Sequence, residues 1–173
     1  MKIIKNIILP IGILSSMLIT PITSFSSTPP SYTVYKNVEK SNAQKEVLDV
    51  IMKYQKALNA GNTKEIISLY ANESYSQWNN LLTADSKEKK EDQYNNLFSK
   101  EKFNTDFAID TIWVDGNTAF VRTHHHNGSV VTDTKEQKTI LDLNREVFIL
   151  HKENGEWKII LYTFNTNPLQ GVA

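Results

Sequence analysis

Residues 47–70 read VLDVIMKYQKALNAGNTKEIISLY, and this stretch decides the class of fold. Gly61 stands where a helix C-cap belongs. Asn62 with Glu65 forms a capping box that predicts a second, short helix through Tyr70. The apolar residues before the glycine recur at intervals of three and four, which places them along one side of a first helix: Val47, Ile51, Tyr54 and Leu58.

Further capping boxes lie on either side of this stretch. Ser41 followed by Gln44 predicts the start of the first helix, and Asp85 with Glu88 predicts the start of a third. Residues 75–82 fit no single pattern.

The second half of the chain changes to the alternation that is typical of strands. Asp115-Gly116 is a strong hairpin signal, and Asn154-Gly155 marks a second turn. A run of helices followed by a run of antiparallel strands predicts an α+β fold with the helices packed on one sheet face. Strands are predicted at 103–113, 118–126, 139–151 and 156–165, with a polar loop over 127–138.

The last two predicted strands carry apolar residues on both faces. Val147 and Ile149 point to one side, whereas Phe148 and Leu150 point to the other. Helices cover only one of these faces, so the other needs a second cover. A second copy of the chain is the simplest cover, and we expect a homodimer through the sheet.

Residues 1–26 have the features of a secretory signal peptide. Two lysines precede an apolar run over 7–19, which is short for a bilayer core of ~30 Å. Ser24 and Ser26 place small residues where signal peptidase cleaves. We expect cleavage after Ser26 and export to the periplasm or the medium; an uncleaved N-terminal anchor is the alternative.

The composition of the mature chain excludes several classes of function. The 19 basic and 19 acidic residues balance, and two of the basic ones lie in the leader, so the mature protein lacks the positive surplus of a nucleic-acid binder. The absence of cysteine excludes disulfides, thiolate metal sites, a cysteine nucleophile and a lipoprotein anchor. No second long apolar run follows the leader, so no membrane segment is expected after cleavage. The predicted organisation is a loose lead-in at 27–40, one domain at 41–167 and a tail at 168–173.

Two motifs resemble a known superfamily. Residues 50–62 with 66–70 resemble the opening helices of nuclear transport factor 2-like (SnoaL-like) domains, and 153–159, ENGEWKI, resemble their final hairpin. The resemblance spans residues 43–165. It implies a curved sheet folded around the first helix into a cone, with a mostly apolar pocket at the mouth. The superfamily contains isomerases, dehydratases, epoxide hydrolases, polyketide cyclases and assembly domains, so the resemblance does not fix a function.

The resemblance also points to candidate catalytic positions. Tyr54 matches the helix-one tyrosine that supports the oxyanion hole of ketosteroid isomerases; a satisfied core tyrosine is the alternative. The carboxylate base of those enzymes would fall at about Trp78, where no acid is present. A second acid would fall near Arg145 or Glu146. The isomerase set is therefore incomplete.

A run of three histidines ends the second predicted strand. His124 and His126 share one face and, with a third ligand such as Glu146, could hold a metal; a polar strand end beside a loop is the alternative. We expect no metal and no cofactor. The candidate pocket residues are Tyr54, Trp78, Trp113, His124, His126, Glu146 and Trp157.

Two hypotheses about function remain open. In the first, the domain binds a small hydrophobic molecule, or assembles with a protein, without catalysis. In the second, it is a small-molecule isomerase, dehydratase or cyclase that uses Tyr54 with Glu146 or a pocket histidine. The incomplete acid/base set favours the first.

Overall fold

The computed structural model describes residues 31–166. The predicted signal peptide, its cleavage site and the tail at 168–173 lie outside the described residues. Within 31–166 no helix is both long enough and apolar enough to cross a membrane.

The helices begin at residues whose side chains cap them. α1 spans Val38–Asn59, α2 spans Thr63–Ser68 and α3 spans Lys87–Lys100. The Asn62 cap is confirmed, since its side chain accepts a hydrogen bond from the backbone N–H of Glu65. The other two starts differ from the prediction. Asn37 caps α1 one turn before Ser41, and Ser86, not Asp85, caps α3.

Eight strands form two sheets. The larger sheet has the order β1-β8-β7-β4-β3, and the smaller has the order β2-β5-β6. The strands are β1 Tyr70–Gln77, β2 Glu101–Asn104, β3 Phe107–Asp115, β4 Thr118–His125, β5 Val130–Asp133, β6 Thr139–Leu141, β7 Asn144–Glu153 and β8 Glu156–Thr166.

The predicted α+β fold is confirmed, but the sheet is mixed. β1 begins at Tyr70, which we expected in the second helix, and only its residues 75–77 lie in the stretch that fitted no pattern. It pairs with β8 in parallel, whereas the other pairs are antiparallel. The small sheet was also missed. The predicted strand at 103–113 breaks at Thr105, whose backbone N–H and C=O both bond to the side chain of Asn59. The predicted loop at 127–138 contains β5, and the predicted strand at 139–151 breaks between β6 and β7.

The lead-in is fastened to the domain from Ser31 onward, although we expected a loose segment as far as Lys40. The buried side chain of Gln44 makes the connection. Its amide donates to the carbonyls of Thr33 and Ile112, and its oxygen accepts from the N–H of Tyr35. This one side chain therefore ties the lead-in to both α1 and β3.

The inner face of the larger sheet wraps around α1 and forms the core. Val47, Ile51 and Tyr54, predicted to share one side of α1, are at most 1% exposed. They pack against inward residues of the strands such as Val121 and Phe148, which are fully buried. The larger sheet therefore forms the wall of a cone, and α1 packs inside it.

The outer face carries a continuous apolar row across all five strands. Each member is the register partner of the next, and the end residues Trp113 and Tyr75 are about half exposed, at 48% and 52%. We call these residues the outer row: Trp113, Phe120, Ile149, Leu161 and Tyr75.

Candidate functional site

The mouth of the cone opens into a cavity of about 360 Å³ between the two sheets. This volume is in the range of small-molecule sites. α1 and α3 contribute one side, β7 and β8 the second, and the small sheet the third. Aromatic and aliphatic side chains form the larger part of the lining: Tyr54, Leu58, Trp78, Tyr94, Leu97, Phe103, Val131, Ile140, Leu141, Leu143, Tyr162 and Phe164. The polar and charged residues of the lining are Asn79, Asn80, Glu101, His125, Asp142, Asn144, Glu146 and Thr166.

Three tyrosine hydroxyls form a chain at the inner end of the cavity. The hydroxyl of Tyr94 lies 2.7 Å from that of Tyr54 and 3.0 Å from that of Tyr70. Burial raises the pKa of Tyr54, Tyr70 and Tyr94 above the usual value, so all three stay neutral phenols. When protons point from Tyr70 to Tyr94 to Tyr54, the hydroxyl of Tyr54 is left as a donor, with Tyr162 as its partner in the absence of a ligand.

A buried histidine–carboxylate cluster faces this chain. The Nε2 of His125 lies 2.6 Å from Oε1 of Glu146, and its Nδ1 lies 3.1 Å from Oδ1 of Asp142. The other oxygen of Glu146 accepts a short hydrogen bond from the hydroxyl of Thr123. The ring of Phe107 stacks on the imidazole, with ring centroids 5.1 Å apart.

His125 carries a positive charge at neutral pH. Burial alone would lower its pKa, but the hydrogen bonds and negative charges of Asp142 and Glu146 outweigh burial and raise the pKa to about 9. Both ring nitrogens therefore donate, and neither is left to accept a proton. Burial, followed by the charge of Glu146, also raises the pKa of Tyr162, which joins the cluster to the tyrosines.

Trp78 occupies the position where the resemblance placed a general base. Its ring packs edge-on against Tyr94, with centroids 4.9 Å apart, and at a tilt against Phe164, with centroids 6.0 Å apart. Its indole N–H is buried without a hydrogen-bond partner among residues 31–166. An indole nitrogen cannot accept a proton at neutral pH, so Trp78 contributes apolar surface to the cavity and no base.

The structure brings Tyr54, Trp78 and Glu146 together in one cavity but excludes the other two predicted tryptophans. Trp113 belongs to the outer row, on the opposite face of the sheet, because it is one of the alternate residues of β3 whose side chains point outward. Trp157 points toward α1, where its indole N–H donates to Glu46 at 3.0 Å. The prediction that they line the pocket was wrong.

The other two predicted histidines also lie outside the cavity. The Nδ1 of His124 is 2.8 Å from Asp110 on the outer side of the sheet, and the rings of His124 and His126 are 6.3 Å apart. Glu146, expected as a third ligand, points inward to His125. In the part of the chain that the structure describes, no three His, Asp or Glu side chains are arranged to hold a metal ion.

The histidine of the site is thus the middle one of the run, which sequence reasoning missed. Val121 and Thr123 share its parity along β4, and both are fully buried. That alternation was the available signal. Tyr94 and Asp142 were also missed, since they lie on α3 and on the link between β6 and β7, far away in sequence.

Comparison with known proteins identifies the fold. No known protein family matches the sequence, and no curated protein matches it significantly. Solved structures do match. A ketosteroid isomerase-like protein from Erwinia carotovora atroseptica SCRI1043 superposes with a TM-score of 0.67 at 18% identity, over 71% of this chain and 95% of that one.

Two further structures agree. An NTF2-like protein of unknown function from Pseudomonas putida KT2440 matches with a TM-score of 0.59 at 14% identity, over 72% of this chain and 87% of that one. A putative scytalone dehydratase from Novosphingobium aromaticivorans DSM 12444 matches with a TM-score of 0.59 at 14% identity, over 73% and 85%. At these identities the likeness shows the fold alone, which is the nuclear transport factor 2-like cone that the sequence motifs predicted.

Proposed function

We propose that this chain, which has the nuclear transport factor 2-like fold, is an exported binding domain whose cone cavity holds a small, mostly apolar molecule without transforming it. The cavity is large enough for a fused-ring compound and is lined mainly by aromatic and aliphatic side chains. Assembly with other protein through the outer row is compatible with this role.

The pairing of His125 with Glu146 carries the proposal. A general base must have an unprotonated atom that faces the substrate. Both nitrogens of His125 are protonated and donate within the cluster, and each oxygen of Glu146 already accepts a hydrogen bond. The two groups best suited to acid–base chemistry therefore satisfy each other instead of a substrate.

The remaining polar groups define what the ligand carries. The hydroxyl of Tyr54 can donate to one acceptor, for which a ligand oxygen would compete with Tyr162. The rest of the cavity combines ring faces, such as those of Tyr162 and Phe164, with polar side chains such as Glu101 and Asn144. A flat apolar molecule with one carbonyl or hydroxyl oxygen, of the steroid or aromatic polyketide type, fits this lining.

One observation favours a second function. Glu146 and the Tyr54 phenol line the same cavity, which is the pairing that an isomerase, dehydratase or cyclase needs. A carboxylate oxygen has two lone pairs, so Glu146 retains acceptor capacity. In this alternative, ligand binding would displace Thr123 or His125 and turn Glu146 into a base.

The binding proposal is tested by titrating the protein with progesterone and with 1,8-dihydroxyanthraquinone while recording the indole N–H signals of the three tryptophans by NMR. We expect the Trp78 signal to shift in a saturable manner and those of Trp113 and Trp157 to stay in place. Trp78→Phe and Trp113→Phe variants assign the signals. If only Trp113 responds, the ligand binds the outer row and the proposal is wrong.

A further inference from the structure

Lys90 on α3 is a buried cation with an incomplete set of partners. Its side chain is 1% exposed. Its ammonium donates to the carbonyl oxygen of Ser74 at 2.8 Å and lies 5.6 Å from the centre of the Tyr70 ring. Among residues 31–166 no carboxylate pairs with it, and only Asp85 and Glu88 act on it from a distance.

This arrangement is electrostatically unfavourable without a counter-ion. Buried charges are normally paired, because removal from water costs several kcal/mol per ion. An ammonium has three donors, and the carbonyl of Ser74 uses one. Burial also lowers the pKa of Lys90, which shows that its charged form is poorly compensated.

Lys90 lines a groove that is separate from the cone cavity. The groove has a volume of about 460 Å³ and lies between α2, the start of α3 and the β7–β8 hairpin. Four lysines and two glutamates line it among the described residues: Lys64, Lys87, Lys90, Lys158, Glu91 and Glu153.

Ion pairs neutralise some of the charged side chains of the groove. Glu91 pairs with Lys87 at 3.6 Å, and Lys158 pairs with Glu156 at 3.0 Å. Lys64, which is exposed on α2, and Lys90 at the base have no ion pair within residues 31–166. The groove therefore has one lysine without an ion pair at its base and another on α2, together with the carboxylate of Glu153.

We propose that this groove binds a small oxyanion, of the phosphate or phosphate-monoester class, between Lys90 and Lys64. A tetrahedral oxyanion supplies both the negative charge and the several acceptors that the unused donors of Lys90 need. Six of the side chains that line the groove are charged, which suits a hydrated ligand.

One residue, Tyr70, lies between the groove and the cone cavity. The ring of Tyr70 faces Lys90, while its hydroxyl bonds to Tyr94 in the tyrosine chain. An anion on Lys90 would lie one side chain away from that chain. The two linings nevertheless share no residue.

The test is calorimetric titration of the mature protein with inorganic phosphate, glycerol 3-phosphate, sulfate and acetate at constant ionic strength. We expect saturable binding of one phosphate. Tighter binding of glycerol 3-phosphate than of phosphate would identify a monoester as the source, and equal binding would identify the free ion. Binding of acetate as tight as that of phosphate would overturn the proposal.

Variants distinguish this site from general attraction. Lys90→Met should weaken phosphate binding at least 10-fold, whereas Lys45→Met, which removes an exposed lysine from α1, should leave it unchanged. If Lys90→Met does not fold, Lys64→Glu decides, and it should weaken binding by a similar factor. Phosphate affinity unchanged in Lys64→Glu, or in a folded Lys90→Met protein, would overturn the proposal.

Discussion

The Nε2 of His125 lies 2.6 Å from Oε1 of Glu146, and both side chains are buried inside the cone. A buried ion pair of this kind fixes the conformation of the cavity wall, because each charge is held in place by the other. It also makes the stability of the fold depend on pH in a definite direction.

The first prediction concerns how the free energy of unfolding changes with pH. Because the pKa of His125 is raised from 6.5 to about 9 on folding, its contribution is complete below pH 6.5 and is lost as pH rises through about 9. The shift corresponds to about 3 kcal/mol. Urea unfolding should therefore show that the wild type loses stability relative to His125→Gln between these pH values.

The control is His151→Gln, which changes a half-buried histidine of β7. Its stability should follow that of the wild type across the same range. A His125→Gln protein whose stability runs parallel to the wild type at every pH would show that His125 is not the titrating group.

The second prediction concerns the outer row. An apolar row that crosses five strands should be covered by a second copy of the chain. Light scattering at micromolar concentration should give twice the monomer mass. Ile149→Glu, at the centre of the row, should give the monomer, whereas Leu82→Glu, at an exposed leucine on a loop, should leave the dimer intact. A wild-type monomer would refute the dimer.

The third prediction separates binding from catalysis. Tyr54→Phe keeps the ring but removes the hydroxyl, and should weaken progesterone binding about 5-fold, equivalent to about 1 kcal/mol. Tyr75→Phe on the outer row should have no effect. A 5-ene-3-ketosteroid should not be converted above background. Conversion that Glu146→Gln abolishes would establish the enzymatic alternative.

The fourth prediction concerns export. N-terminal sequencing of protein recovered from the periplasm or the medium should give Ser27 as the first residue, as the Ser24 and Ser26 pattern predicts. Protein that begins at Met1 and stays with the membrane fraction would support the uncleaved anchor.

The regular parts of the fold could be predicted from the sequence because each has a local signal. α1 repeats its apolar residues at helical spacing, and the β7–β8 hairpin turns at Asn154-Gly155, where both residues have positive φ. β1 could not be predicted in the same way. Its parallel pairing with β8 is a contact between distant segments, and its sequence, YANESYSQ, lacks apolar alternation.

The candidate site shows the same division. Tyr54 could be placed because it belongs to the apolar side of α1. Trp113 and Trp157 could not, because aromatic character does not reveal which face of a sheet a residue occupies. His125 was missed because a run of three histidines does not show which of them points inward. Its inward direction follows from its place in the alternation along β4, which it shares with the buried Val121 and Thr123.

The most direct test of the binding account is native mass spectrometry of the purified protein with two matched variants. Val131→Trp places a large ring in the cavity, whereas Val130→Trp changes the neighbouring residue of β5, which does not line it. We predict that one small apolar molecule co-purifies with the wild type and with Val130→Trp and is absent from Val131→Trp. A wild type without ligand, or the same molecule retained by Val131→Trp, would contradict the account.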